Sequence, residues 1–171
     1  MSAKIYKVLF LCAGNSSRSI MAEALLNVIG RGRFQAFSAG CPPCREIHPY
    51  VIEQVISIGY PSASLISQSW EEFAATAAPE MDFVINVCDQ AIPKDAPIWH
   101  GQPCETHWPF RNLDDLLGSQ QQIRQVFRTV FKQIEVRINL LNSLPLESLC
   151  RSEVEREIYL ISRTPLYSTY E

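Results

Sequence analysis

Cys12 and Arg18 are separated by five residues, Ala13-Gly14-Asn15-Ser16-Ser17, and Ser19 follows the arginine. A cysteine at one end of a small polar loop and an arginine at the other can hold and attack a tetrahedral oxyanion. Backbone N–H groups of a tight loop entering a helix converge into an anion-binding nest, and the helix N-terminus adds positive potential. Arg18 supplies a planar fork for two oxygens. The helix end and Arg18 both favour the thiolate of Cys12, the nucleophilic form of a cysteine. A thiolate beneath a bound oxyanion is aligned for in-line attack on the central atom. Gly14 and Asn15 suit the positive φ angles such a loop needs. The expected oxyanion ring therefore runs through Ala13, Gly14, Asn15, Ser16, Ser17, Arg18 and Ser19.

A cysteine and an arginine at this spacing also arise by chance, as a buried thiol and an unrelated surface cation. The flanking elements favour a site. Residues 7–12 form a short, mostly apolar run suited to a central parallel strand covered on both faces. Residues 18–29 carry Met21, Leu25, Val28 and Ile29 at helical spacing, ended by Gly30 and Gly32. Residues 34–39 read as a second strand stopped by Gly40, and 48–58 as a second helix with Pro49 in its first turn. This β-α-β-α order favours a parallel sheet with right-handed crossovers. Ligands bind such sheets at the C-terminal strand edge, where Cys12 stands. Competing phosphate loops are excluded, because neither GxxxxGK[ST] nor GxGxxG follows the first strand.

Further along, Ser69 reads as a helix N-cap with Glu72 in capping-box position. Residues 82–88 predict a third strand, a Pro-rich stretch spans 91–103, and 106–110 predict a fourth strand ending near Pro109. Residues 119–141 hold the longest helical pattern, Pro145 breaks it, and 153–162 predict a last helix. The tail to Glu171 is expected to fray.

The chain has 171 residues, 47% hydrophobic and 19% charged, and a net charge of −3. That composition predicts one globular domain over residues 1–171. The charge offers no footprint for nucleic acid or an anionic membrane surface, and no apolar run approaches the ~20 residues of a spanning helix. Residues 8–11 are too short an apolar run for a signal-peptide core, so a cytoplasmic location is expected. There, six cysteines (12, 41, 44, 88, 104 and 150) read as catalytic, redox-active or buried rather than as a disulfide framework.

The stretch VLFLCAGNSSRSIMAEALLN at 8–27 resembles the low-molecular-weight protein tyrosine phosphatase superfamily, and within it the arsenate reductase branch. Phosphatase members carry Pro two residues after the loop Arg. Here that position is Ile20, followed by Met21-Ala22-Glu23, as in the reductases. Ser38-Ala39-Gly40, DFVINVCD at 82–89, Trp99-His100-Gly101-Gln102-Pro103 with His107-Trp108, and LPLESL at 144–149 extend the resemblance over nearly the whole chain. It implies a three-layer α/β fold, a four-stranded parallel sheet flanked by helices, and reduction of arsenate to arsenite. Carried over, Cys12 attacks arsenate, Arg18 clamps the oxyanion, and Ser19 hydrogen-bonds the Cys12 thiolate. Cys88 falls where thioredoxin-coupled reductases carry the first resolving cysteine, although a small buried hydrophobe is the alternative. No resident cofactor is implied. The reductant is an external thiol, either glutathione with glutaredoxin or thioredoxin.

Two departures from the family pattern stand out. Thioredoxin-type reductases carry a third cysteine seven or eight residues after the second; here those positions are Asp95 and Ala96. Cys104 or an external thiol would have to substitute. The family's general acid, an Asp five residues after the His of His-Trp, is Asn112. Asn has no acidic proton to give. Asp114 and Asp115 are the nearest replacements, or else solvated loop carboxylates. The change weighs against phosphomonoesters, whose leaving group needs a proton, more than against arsenate. A phosphatase of tyrosine or aryl phosphates, and a non-catalytic oxyanion- or phosphopeptide-binding module, remain the alternatives.

Some reductases of the family bind potassium beside the loop, and Asn15, Glu23 and Ser38 match part of that site. The favoured reading gives Asn15 and Ser38 a loop-bracing role instead. Cys41-Pro42-Pro43-Cys44 lacks the second CxxC of a structural zinc site. It reads as a turn just after strand two, with a late thiol-shuttle role left open. His48 reads as a helix-start residue and His107 as an anchor for the loop carrying Asn112. Trp99, Trp108 and Phe110 are candidates for cleft walls or core. Cys150 receives no role.

Overall fold

The computed structural model describes residues 2–166. The later part of the tail predicted to fray, residues 167–171, lies outside them. Strands β1 (Tyr6–Ala13), β2 (Phe34–Cys41), β3 (Phe83–Asn86) and β4 (Cys104–His107) form one parallel sheet in the order β2-β1-β3-β4. Helices α1 (Arg18–Ile29), α2 (Pro49–Ser57), α3 (Gln120–Asn142) and α4 (Arg151–Ser162) complete the α/β architecture.

β1 lies between β2 and β3, which is why its sequence is apolar on both faces. Val8, Phe10 and Cys12 join the core shared with the four helices. Leu9 and Leu11 point the other way, into a smaller core roofed by Trp70, Phe73, Met81 and Trp99. That second roof is a 3-10 turn, Trp70–Phe73, plus loops. Ser69 caps the turn through Glu71 N, one residue short of the expected capping-box partner. α3 does carry a capping box, between Ser119 and Gln122. α4 starts at Arg151, two residues before the predicted start, because Glu153 reaches back to the Cys150 amide.

β1 extends one residue beyond the sequence reading at each end, and the other three strands differ for identifiable reasons. β2 continues through Gly40 to Cys41, with Cys12 opposite Gly40 and Ala13 opposite Cys41. β3 ends at Asn86, because the Asn86 side chain takes over beyond it: Oδ1 accepts from Cys88 N and Nδ2 donates to Gln90 O. β4 is Cys104–His107 rather than 106–110, since the ladder partners on β3 pair Phe83 with Cys104 and Asn86 with His107. Trp108 and Phe110 are buried just past the strand.

Gly40 serves close approach rather than a turn. A Cβ there would lie 2.3 Å from the Asn15 backbone nitrogen. Gly40→Ala is therefore expected to cost about 1–3 kcal/mol of stability, the usual range for overpacking, read as a lower urea midpoint, and to weaken phosphate binding by shifting the loop.

Candidate active site

The loop between β1 and α1 folds as the sequence requires: Gly14 and Asn15 both have positive φ, 70° and 48°. Gly14 O accepts from Arg45 N and from Ser67 Oγ, and Ser16 O accepts from His48 N. In a trans peptide the N–H opposes the C=O. Carbonyls bound to these outer segments therefore turn the following amides the other way, as an anion nest needs. Asn15, Ser16, Ser17, Arg18 and Ser19 are all buried, whereas Ala13 is exposed.

A directed chain of hydrogen bonds ends on the nucleophile candidate. Gln68 N donates to Asn15 Oδ1 at 2.8 Å, which orients the Asn15 amide. Asn15 Nδ2 then donates to Ser19 Oγ at 2.8 Å. Ser19 Oγ in turn lies 2.9 Å from Cys12 Sγ, within reach for its hydroxyl to donate to the sulfur.

Arg18 opens α1 and is only 3% exposed. Its Nη1 donates to Asp89 Oδ1 at 2.7 Å and to the Phe110 carbonyl at 3.1 Å, and its Nη2 lies 3.6 Å from Cys88 Sγ. Burial opposes the arginine's charge, but the Asp89 hydrogen bond and the neighbouring Cys88 and Cys12 more than offset it and hold its pKa above the ordinary value. The Arg18 hydrogen bond in turn holds the Asp89 carboxyl below the usual range. Asp89 lies in the segment 82–89 but received no role from the sequence, where it looks like any charged residue after a strand.

A cavity of ≈190 Å³ opens at this edge of the sheet, lined by Cys12, Cys41, Trp70, Asn86, Cys88 and neighbours. It brings Cys12 and Cys88 to one space and adds Cys41. Asp114 and Asp115 line a different pocket, with Arg45 and His48. Asp114 is paired with Arg45 at 3.1 Å and Asp115 sits in a positive-φ turn. Asn112 Oδ1 accepts from Asp114 N, a turn contact. Cys104 is buried in the main core and pairs with Phe83, which pairs with Val8. Its position is thus at the strand end opposite Cys12, four residues down the ladder, about 13 Å. This placement separates Cys104 from the adduct.

Other readings are relocated. His107 anchors the Cys88 carbonyl, at 2.7 Å, not the loop of Asn112. Trp108 is fully buried, with Nε1 donating to Ile158 O, and is core rather than cleft wall. Phe110 packs under Arg137, and Trp99 belongs to the smaller core. Trp70 is the tryptophan at the cavity. His48 caps α2 through Nδ1, accepting from Tyr50 N. Cys150 is exposed at the start of α4.

Glu23 accepts a hydrogen bond from Ser38 Oγ at 3.2 Å, and burial pushes its carboxyl up to about 7. Gln68 Nε2 already occupies the Ser38 carbonyl, and Asn15 is engaged at both ends of its amide. Asn15 and Ser38 thus brace the loop through these hydrogen bonds, the role the sequence favours for them. Among the described residues no group of three or more His, Cys, Asp or Glu is placed to hold a metal ion.

The loop, the sheet order and the convergence of Cys12, Arg18 and Ser19 form a candidate oxyanion-binding thiol site on a parallel α/β sheet. The chain belongs to the low molecular weight phosphotyrosine protein phosphatase family, which it matches over residues 7–154. It is 31% identical to a glutaredoxin arsenate reductase of Synechocystis sp. over 135 residues, covering 79% of this chain and 95% of that protein. An arsenate reductase of Shouchella clausii is 28% identical over 138 residues, covering 81% and 94%. Among solved structures, an arsenate reductase in the oxidized state is similar at TM-score 0.64 and 29% identity, covering 81% of this chain and 98% of that one. Another, in the phosphate binding state, has TM-score 0.63 with the same identity and coverage.

Two measurements check this geometry. Ser19→Ala is expected to slow alkylation of Cys12 by iodoacetamide at neutral pH about tenfold, the worth of one charge-assisted hydrogen bond of ~1.5 kcal/mol. Glu23 titrates near 7 when folded against an ordinary 4.5. The native state therefore keeps a proton that the unfolded chain releases between these values. The stabilisation is complete below about 4.5 and is lost as pH rises through about 7. Glu23→Gln is expected to remove that decline and to gain up to about 3 kcal/mol over the parent at pH 8 in urea melts.

Proposed function

We propose that this chain is an arsenate reductase in which Cys12 is the nucleophile, Arg18 and the loop amides hold the oxyanion, and Cys88 resolves. The carrying observation is the place of Cys88. It shares a cavity with Cys12 and lies 3.6 Å from Nη2 of the loop arginine. A phosphatase needs a water and a proton donor, not a second thiol. Neither Asp114 nor Asp115 lines that cavity, which favours arsenate over a phosphomonoester.

In the reaction, arsenate enters with its oxygens on the loop amides and the Arg18 fork. The Cys12 thiolate, supported by Ser19, attacks arsenic. A sulfur–arsenic bond forms and one arsenate hydroxyl leaves, taking up a proton from solvent to depart as water. The Cys88 thiolate, beside the Arg18 guanidinium, attacks Cys12 Sγ. The sulfur–arsenic bond breaks with its electron pair remaining on arsenic. Arsenite departs, and a Cys12–Cys88 disulfide is left for thiol reduction. Asp89 acts as a positioning residue by fixing Nη1 of Arg18.

All six cysteines are free thiols, in keeping with a reducing cytoplasm as the working compartment. Among the described residues no helix is long and apolar enough to cross a membrane. The electron donor in this reading is glutathione with glutaredoxin, supported by the absence of a cysteine at 95 or 96 and by the name of the Synechocystis relative. Residues 1–171 act as one domain in this reading.

Arsenite formed from arsenate by the reduced protein, with glutathione and glutaredoxin supplied, is expected to exceed one equivalent. Cys12→Ser should lower that rate about 10³-fold or more. Arsenite produced by the Cys12→Ser variant at the parent rate would refute the mechanism. Aryl phosphate hydrolysis without any arsenite would make the protein a phosphatase.

A further inference from the structure

The Cys41-Pro42-Pro43-Cys44 motif is not a turn set apart from the site. Cys41 is the last residue of β2 and pairs with Ala13, one strand spacing or about 4.8 Å away, on the small-core face of the sheet, whereas Cys12 faces the main core. It lines the same cavity as Cys12 and Cys88. Pro42 and Pro43 bend the chain outward, and Cys44 is exposed. The motif therefore runs from the reacting cavity to the surface in four residues.

We propose that Cys41 and Cys44 form the exporting dithiol of the catalytic cycle, drawing the disulfide off Cys12–Cys88 and presenting it at the surface as a Cys41–Cys44 disulfide. This rests on the reductase reading above and adds its terminal steps. The Cys41 thiolate attacks Cys88 Sγ, so a Cys41–Cys88 bond forms and Cys12 leaves as a thiolate into its loop. The Cys44 thiolate then attacks Cys41 Sγ, and Cys88 leaves as a thiolate beside Arg18. Cys41 and Cys44 each release one proton. In sum, arsenate and two thiols become arsenite, water and one disulfide. Arsenate is the oxidant, so no other is needed, and an external thiol of the glutathione class reduces the exposed disulfide by attack at Cys44.

The direction of transfer follows from which thiolates the fold supports. Cys12 has the Ser19 hydroxyl at 2.9 Å, and Cys88 has Arg18 at 3.6 Å. At Cys41, burial first, then the charges of Asp95 and Cys44, push the thiol up. A dithiol whose reduced form is stabilised is the better oxidant. Electrons therefore run from Cys41 and Cys44 toward Cys88 and Cys12. The influence of Asp95 on Cys41 also locates the pair in space. Cys41 and Ala96 pack against the same small core, so Cys41 stands near the segment around Asp95 and Ala96.

The test is a single turnover. Fully reduced protein, freed of small thiols, is given excess arsenate, acid-quenched, alkylated and digested with trypsin. Cys41 and Cys44 share the peptide 34–45, Cys12 lies in 8–18 and Cys88 in 46–94. The expected result is one equivalent of arsenite, peptide 34–45 unalkylated and lighter by two hydrogens, and peptides 8–18 and 46–94 alkylated. In Cys44→Ser, whose side chain is exposed, the disulfide is expected to be trapped between 34–45 and 46–94. One equivalent of arsenite with 8–18 linked to 46–94 and both cysteines of 34–45 alkylated overturns the export while leaving the reductase intact. No arsenite at all overturns the reductase reading, and the export with it.

Discussion

Arg18 carries its charge into the interior, and the folded chain is arranged to keep it there. An unpaired buried charge is strongly unfavourable. Here Asp89, the Phe110 carbonyl and the Cys88 sulfur surround the guanidinium. Those partners lie 71, 92 and 70 residues away in sequence. One side chain at the start of α1 thereby ties the loop to the exit of β3 and to the chain beyond β4. A guanidinium has five N–H donors, and these contacts engage three of them. The same contact holds the Cys88 sulfur at the cavity that Cys12 also lines.

What the sequence disclosed depended on how local each signal was. β1, α1 and α3 announce themselves through apolar periodicity, and the loop through its residue types, because these features are decided within a few neighbours. β4 was misplaced because its ladder is chosen by β3. Trp108 and Phe110 are as apolar as strand residues but are buried outside the ladder. Gly40 suggested a stop; its true constraint is the Asn15 backbone, a contact made only after β1 and β2 align. Asp89 is silent in one dimension, because nothing in a strand-ending Asp points to an arginine so far upstream. Asp114 shows the reverse case. Its proximity to Asn112 in sequence suggested the site, and its side chain pairs with Arg45, which packs against Gly14 of the loop.

The exit of β3 is held differently from the strand itself. Beyond Asn86 the chain is fastened largely by side chains: Asn86 on Cys88 and Gln90, His107 on the Cys88 carbonyl, Arg18 on Asp89. Such bonds open one at a time, at modest cost each, without unzipping a ladder. The segment carrying Cys88 is thus fastened by side chains where the strand is fastened by its ladder. A substitution at Asn86, His107 or Arg18 would release one tie of that segment while β3 keeps its register on β1.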